Sequence, residues 1–180
     1  LHKGENILEV ICPLGSRTAV ECAYLLGNFG VRVIGREKTV TALPETLCFD
    51  DLRIQGLPFY GANVTYHCDI ETKEDGTLSL HAPVYRGALL TVALDGKEIG
   101  NLVFSPYTMK IPNVSAGKHR LDITLYGTRF NCFGELHFHH HMNFSWYGPT
   151  AYRSTGDEWY YEYETKPMGL LRTPVLSLEK

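Results

Sequence analysis

Period-two alternation is the pattern that most constrains this chain. Val64, Tyr66, Cys68 and Ile70 alternate with Thr65, His67, Asp69 and Glu71. Leu78 and Leu80 continue the pattern after Asp75-Gly76, and Leu90, Val92 and Leu94 continue it up to Asp95-Gly96. Leu121, Ile123 and Leu125 alternate with Asp122 and Thr124, and Trp159, Tyr161 and Tyr163 with Tyr160, Glu162 and Glu164. Side chains along a strand point to opposite faces, so each stretch reads as a strand with one buried and one solvated face. Both Asp-Gly pairs read as hairpin turns, because Gly and Asp adopt positive φ cheaply. Many short strands joined by such turns predict an all-β, antiparallel β-sandwich or a barrel. Leu90, Val92, Leu121, Ile123 and Leu125 are its expected core. Residues 19–26 can be read as a helix, although Gly27, Gly30 and β-branched neighbours argue equally for a strand.

Composition narrows the class. With 180 residues, 44% hydrophobic and 21% charged, the chain can bury a real core, removing roughly 70% of its unfolded surface from water. Its net charge of −3 and scattered basic residues argue against nucleic acid as a partner. No apolar run approaches the ~20 residues of a membrane span, so no membrane partner is expected. Cys12, Cys22, Cys48, Cys68 and Cys132 are odd in number and lack a CxxC spacing. Reduced thiols are therefore expected, which slightly favours the cytoplasm over an oxidising compartment. The sequons at Asn63, Asn113 and Asn143 matter only in a eukaryotic secretory context. Opening at Leu1, without Met or a signal peptide, the chain reads as a fragment of a longer protein.

The pattern changes near residue 50. Gly4-Glu5-Asn6-Ile7-Leu8-Glu9-Val10 matches the later Gly117-Lys118-His119-Arg120-Leu121-Asp122-Ile123, which makes residues 1–50 either the end of a preceding β domain or extra strands packed on the sandwich. Residues 51–180 form the main domain. Within it stand Gly56-Leu57-Pro58-Phe59-Tyr60-Gly61-Ala62-Asn63-Val64-Thr65-Tyr66, Val92-Ala93-Leu94-Asp95-Gly96-Lys97-Glu98-Ile99-Gly100 and Ser105-Pro106-Tyr107. They are followed by Ala116-Gly117-Lys118-His119-Arg120-Leu121-Asp122-Ile123, then Arg129-Phe130-Asn131-Cys132-Phe133-Gly134-Glu135-Leu136-His137, then Trp146-Tyr147-Gly148-Pro149. From Gln55 onward this series resembles the galactose-binding-like jelly rolls that serve as C-terminal or sugar-binding accessory domains in bacterial glycoside hydrolases of the family 2 and rhamnosidase types. Asp95 and His119 stand where the pattern usually has Asn. The resemblance implies a jelly-roll β-sandwich that is itself non-catalytic. Such a domain binds carbohydrate, closes one side of a cleft, or packs against the missing catalytic domain of the parent chain. It also leaves room for a structural calcium ion. No loop carries a dense Asp/Asn ligand string, and no other cofactor is implied.

The residues suited to holding a sugar are Arg129, Asn131, His137, Trp146 and Tyr147. Guanidinium, amide and imidazole groups bind hydroxyls, indole and phenol rings stack on C–H faces, and Gly134, Gly148 and Pro149 supply turns. Tyr60, Tyr152, Trp159, Tyr160 and Tyr161 enlarge the aromatic set, with strand packing as the simpler explanation for Trp159 and Tyr161. His137, His139 and His141 would project from one strand face in the manner of metal-binding jelly rolls such as cupins, although no Glu follows at the required distance. Asp157, Glu158, Glu162 and Glu164 could be drawn as a glycosidase dyad, but a solvated strand face explains the last two. No catalytic residue is assigned, and the isolated chain is not expected to hydrolyse aryl glycosides. The alternatives are a purely structural inter-domain module and a small metal-dependent, cupin-like enzyme.

Overall fold

The computed structural model describes residues 2–13, 15–16, 24–134, 136–137 and 159–179. A hairpin comes first, from β1 (Gly30–Ile34) and β2 (Glu37–Thr41), followed by a 3-10 turn at Leu52–Gln55. The sandwich strands are β3 (Val64–Thr72), β4 (Gly76–His81), β5 (Tyr85–Arg86), β6 (Leu89–Leu94), β7 (Lys97–Leu102), β8 (Thr108–Val114) and β9 (Gly117–Tyr126). One helical turn, α1 (Phe130–Phe133), precedes β10 (Gly169–Leu170) and β11 (Val175–Glu179).

Every strand pairing among the described elements is antiparallel. A four-stranded sheet runs β3-β9-β6-β7, a three-stranded sheet runs β11-β4-β8, and β5 pairs with β10. The chain is thus an all-β sandwich. Leu90, Val92, Leu121, Ile123 and Leu125 point from the larger sheet into a core completed by Leu78, Leu80 and Ile111 from the smaller one. Leu52, Met168 and Leu170 close one end of that core.

The two Asp-Gly pairs do different work. Asp95 and Gly96 have φ of 50° and 77° and turn β6 into its hydrogen-bonded neighbour β7. This is the expected hairpin. The expectation for Asp75-Gly76 is overturned, because β3 pairs with β9 while β4 pairs with β8 and β11. The turn therefore carries the chain across from one sheet to the other. The connection from β8 to β9 crosses beside it. Asp75 Oδ1 accepts from the Ala116 N–H at 2.7 Å, and Thr72 Oγ1 donates to the Ser115 carbonyl at 2.6 Å. Side chains of the first crossing thus satisfy the backbone of the second, which neither strand pattern could reveal.

A second correction concerns Trp159–Glu164. Only Trp159 makes a bridge, and the rest is irregular chain despite its alternation. Its backbone instead pairs with the 136–137 segment: Tyr160 N–H donates to the His137 carbonyl and Glu164 N–H to the Leu136 carbonyl, both at 2.8 Å. Tyr161 is 60% exposed and Trp159 and Tyr163 are half-buried, so these rings lie outside the core assigned to them.

Residues 24–29 are irregular, and most of the 19–26 stretch lies outside the described residues. The β1–β2 hairpin is tied to the end of the 3-10 turn by Val31 N–H donating to the Gly56 carbonyl at 2.8 Å. Leu47 and Phe49 pack against the core, Phe49 stacking on Tyr66 at 5.3 Å.

Candidate functional site

Polar contacts at Thr165, Lys166 and Met168 hold the segment from Trp159 to Met168 against the sandwich. Arg53 Nη1 donates to the Thr165 carbonyl at 2.6 Å, and Leu52 N–H to the Met168 carbonyl at 2.7 Å. Asp51 orients Arg53 at 2.7 Å. Burial pulls the Asp51 carboxyl pKa upward, but the Arg53 hydrogen bonds and charge outweigh it and leave the pKa lowered. The Asn131 amide then grips Lys166 at two points, Nδ2 donating to its carbonyl and Oδ1 accepting from its N–H, each at 2.8 Å.

With its C-terminal end held in this way, the segment gathers aromatic rings around His137. The imidazole lies 4.4 Å from the Trp159 ring and 4.3 Å from the Tyr163 ring, and its Nδ1 meets the Tyr160 carbonyl at 2.9 Å. Phe59 packs edge-on against Tyr163 at 5.0 Å, and Tyr161 stands edge-on to Trp159 at 6.2 Å. The β1–β2 hairpin adds two cations. The Arg36 guanidinium sits 4.3 Å from the centre of the Tyr161 ring and the Lys38 ammonium 4.8 Å from that of Tyr163. Lys38 also donates to the Tyr163 hydroxyl at 3.3 Å. Negative charge on Glu162 raises the Tyr160 hydroxyl pKa, with Glu164 adding to the effect and Arg36 opposing it. The result is a partly exposed patch of π faces, an imidazole, a guanidinium and an ammonium. Its groups can stack on C–H surfaces and donate hydrogen bonds.

The expected site residues are distributed unevenly. His137 is inside this cluster. Asn131 is 4% exposed, and its amide is engaged by the Lys166 backbone. Arg129 is exposed at the start of α1, where its carbonyl accepts from Cys132 and Phe133. Burial pushes the Cys132 thiol pKa up, and the Arg129 charge partly offsets that. Trp146, Tyr147, His139 and His141 lie outside the described residues, as do Tyr152, Asp157 and Glu158. Among the described residues, no three metal-ligating side chains converge.

Sequence reasoning missed Arg36 and Lys38. Their signal was the turn at Gly35 between two short apolar-alternating runs, a hairpin pattern in a part of the chain read only as the end of a preceding β domain or as extra strands.

No family model matches the chain, and no curated protein matches it significantly. Among solved structures it is similar to a rhamnosidase from Novosphingobium sp. PP1Y, with a TM-score of 0.47 and 16% identity over 90% of this chain. It is also similar to a GH2 beta-galacturonidase from Eisenbergiella tayi, solved with glycerol and with galacturonate, with a TM-score of 0.34 and 20% identity over 53% of this chain. The chain spans 16% and 17% of the lengths of those two proteins.

Proposed function

We propose that this chain is a non-catalytic, galactose-binding-like jelly-roll module of a larger bacterial glycoside hydrolase, and that it presents a carbohydrate-facing surface. The observation that carries the reading is the cluster of His137, Trp159, Tyr161 and Tyr163 with Arg36 and Lys38 above two of the rings. Exposed aromatic faces beside hydrogen-bond donors are what a pyranose needs: the ring's C–H face stacks while its hydroxyls accept. The motif series from Gly56 to Pro149 supports the accessory-domain assignment. Arg129 and Asn131 belong to the same reading in different roles, Arg129 as an exposed donor and Asn131 as the clamp on the aromatic segment. Trp146 and Tyr147 are proposed as further stacking rings.

Affinity electrophoresis through gels containing plant and bacterial polysaccharides tests this. Tyr161→Ala should weaken retention by about threefold to tenfold, the worth of one ring contact. Tyr161 is exposed, so melting should be unchanged. Retention that is unaffected by the substitution would remove the cluster from the sugar site.

A second reading, an inter-domain packing surface with no ligand, is favoured by Ile7, Leu8, Val10 and Ile11. These form a run of large apolar side chains left exposed on one short segment. Under that reading, the partner is the catalytic domain of the parent chain.

A further inference from the structure

We infer that the sugar held by this cluster carries a carboxylate, an inference that rests on the carbohydrate reading above. Arg36, in the turn of the β1–β2 hairpin, and Lys38, in β2, are two residues apart. Tyr161 and Tyr163, also two apart, receive them at 4.3 Å and 4.8 Å. The outcome is two neighbouring cation–ring rungs.

Neither cation forms an ion pair with a carboxylate among the described residues. Glu162 is the nearest candidate by position, standing between the two tyrosines in sequence and beside the turn at Gly35. It is not in ionic contact with either. A guanidinium on an aromatic face keeps its N–H edge available, and that edge matches a carboxylate in two-point geometry. The ammonium one rung away adds a second, less directional charge. A neutral sugar would stack on the rings but would leave both charges without an anionic partner. A uronic acid supplies the stacking face and the anion together.

Overall charge does not produce this preference. The chain is net −3, so a polyanion is repelled by the molecule as a whole and must be attracted locally.

The test uses the full chain and four polymers: alginate and polygalacturonate, each beside its carboxyl-reduced, neutral form. Retention in affinity gels should favour the acidic polymer of at least one pair by about tenfold, as a charge-assisted contact would give. The double variant Arg36→Gln/Lys38→Gln should erase that preference, lowering retention of the acidic polymer to that of its reduced form. Both side chains are exposed, so unchanged melting would confirm that the variant is folded.

Equal retention of acidic and reduced forms, weakened by Tyr161→Ala, would overturn the carboxylate inference and leave the sugar site standing. An acidic preference that survives the double variant would also overturn it, placing the anion elsewhere on the surface. Failure to retain any of the four polymers, or a neutral panel of galactan, arabinan and xylan, would remove both readings.

Discussion

Leu125 and Asp95 show two ways in which a single residue contributes. Leu125 is fully buried in the middle strand β9, between β3 and β6. Leu125→Ala should cost about 2–5 kcal/mol in chemical denaturation, the sum of lost transfer energy and the cavity left behind. Ile7→Ala, at a side chain 87% exposed, should stay within about 0.5 kcal/mol. Equal stability of the two variants would refute the core. Asp95 acts through charge. Its Oδ2 meets His119 Nδ1 at 2.7 Å, its Oδ1 accepts from the Arg120 N–H at 2.8 Å, and His119 Nε2 reaches the Ser115 carbonyl at 2.9 Å. The Asp95 bond, then the Ser115 bond, raises the His119 pKa, while the His119 bond, then Arg120, lowers that of Asp95. The histidine share of stability is complete below its unfolded value and disappears as pH rises through the raised folded value. The aspartate share is complete above its unfolded value and disappears as pH falls through the lowered folded one. Their joint contribution is therefore a plateau from about pH 4 to about pH 6.5, declining on either side. Asp95→Asn keeps a residue suited to positive φ but removes the carboxylate. NMR titration of His119 should then show its pKa falling toward the ordinary histidine value. A titration identical to that of the parent would exclude the pair as the cause.

At the scale of elements, backbone approach rather than side-chain preference sets several joints. Gly127 follows β9 and faces the chain leading into β3. A Cβ there would collide with the Ala62 carbonyl oxygen and come within 3.2 Å of the Gly61 carbonyl oxygen. Both obstacles are backbone, which cannot swing aside as a flexible side chain can. Gly127→Ala should therefore destabilise by about 1–3 kcal/mol, the usual cost of overpacking, read as a lower denaturation midpoint. Gly96→Ala provides a contrast. Nothing lies within 4 Å of its Cβ position, so its cost comes from the φ of +77° alone and should be about 1 kcal/mol. A neutral Gly127→Ala would mean that the β9 exit and the β3 entry are further apart than described. The polar face of the β3–β9 pair is equally specific in register: Thr65 meets Thr124, His67 meets Asp122, and Asp69 meets Arg120. Such exposed cross-strand pairs each contribute only tenths of a kcal/mol, and they set alignment more than stability.

For the whole molecule, cohesion is concentrated between Phe49 and Glu179, where both sheets and the clamps on Thr165, Lys166 and Met168 are found. Residues 2–13 contribute exposed side chains and no strand pairing. Thermolysin, which cuts before large apolar residues, should therefore cleave first at Ile7–Ile11, and the remaining core should melt at the parent temperature. Initial cleavage within β3 or β9, followed by collapse of the whole chain, would show that the sandwich is less stable than its amino-terminal segment.

Strand content, the inward set of β3, β6 and β9, and the β6–β7 hairpin were legible in the sequence, because alternation and turn chemistry are local properties. Leu121, Ile123 and Leu125 alternate because one face of one strand must be dry, whichever strand lies beside it. The destination of a turn is not local. Asp75-Gly76 and Asp95-Gly96 look alike, yet one makes a hairpin and the other a crossing, because the partner of β4 is chosen by which sheet can bury Leu78 and Leu80. The same holds for Trp159–Glu164, whose alternation met the backbone of residues 136–137 and two hairpin cations instead of a sheet. His137 could be singled out from its chemistry alone. That Arg36 and Lys38 stand over Tyr161 and Tyr163, across more than a hundred residues of chain, follows from packing, since the hairpin and the aromatic segment are each anchored to the sandwich by contacts that only the closed fold provides.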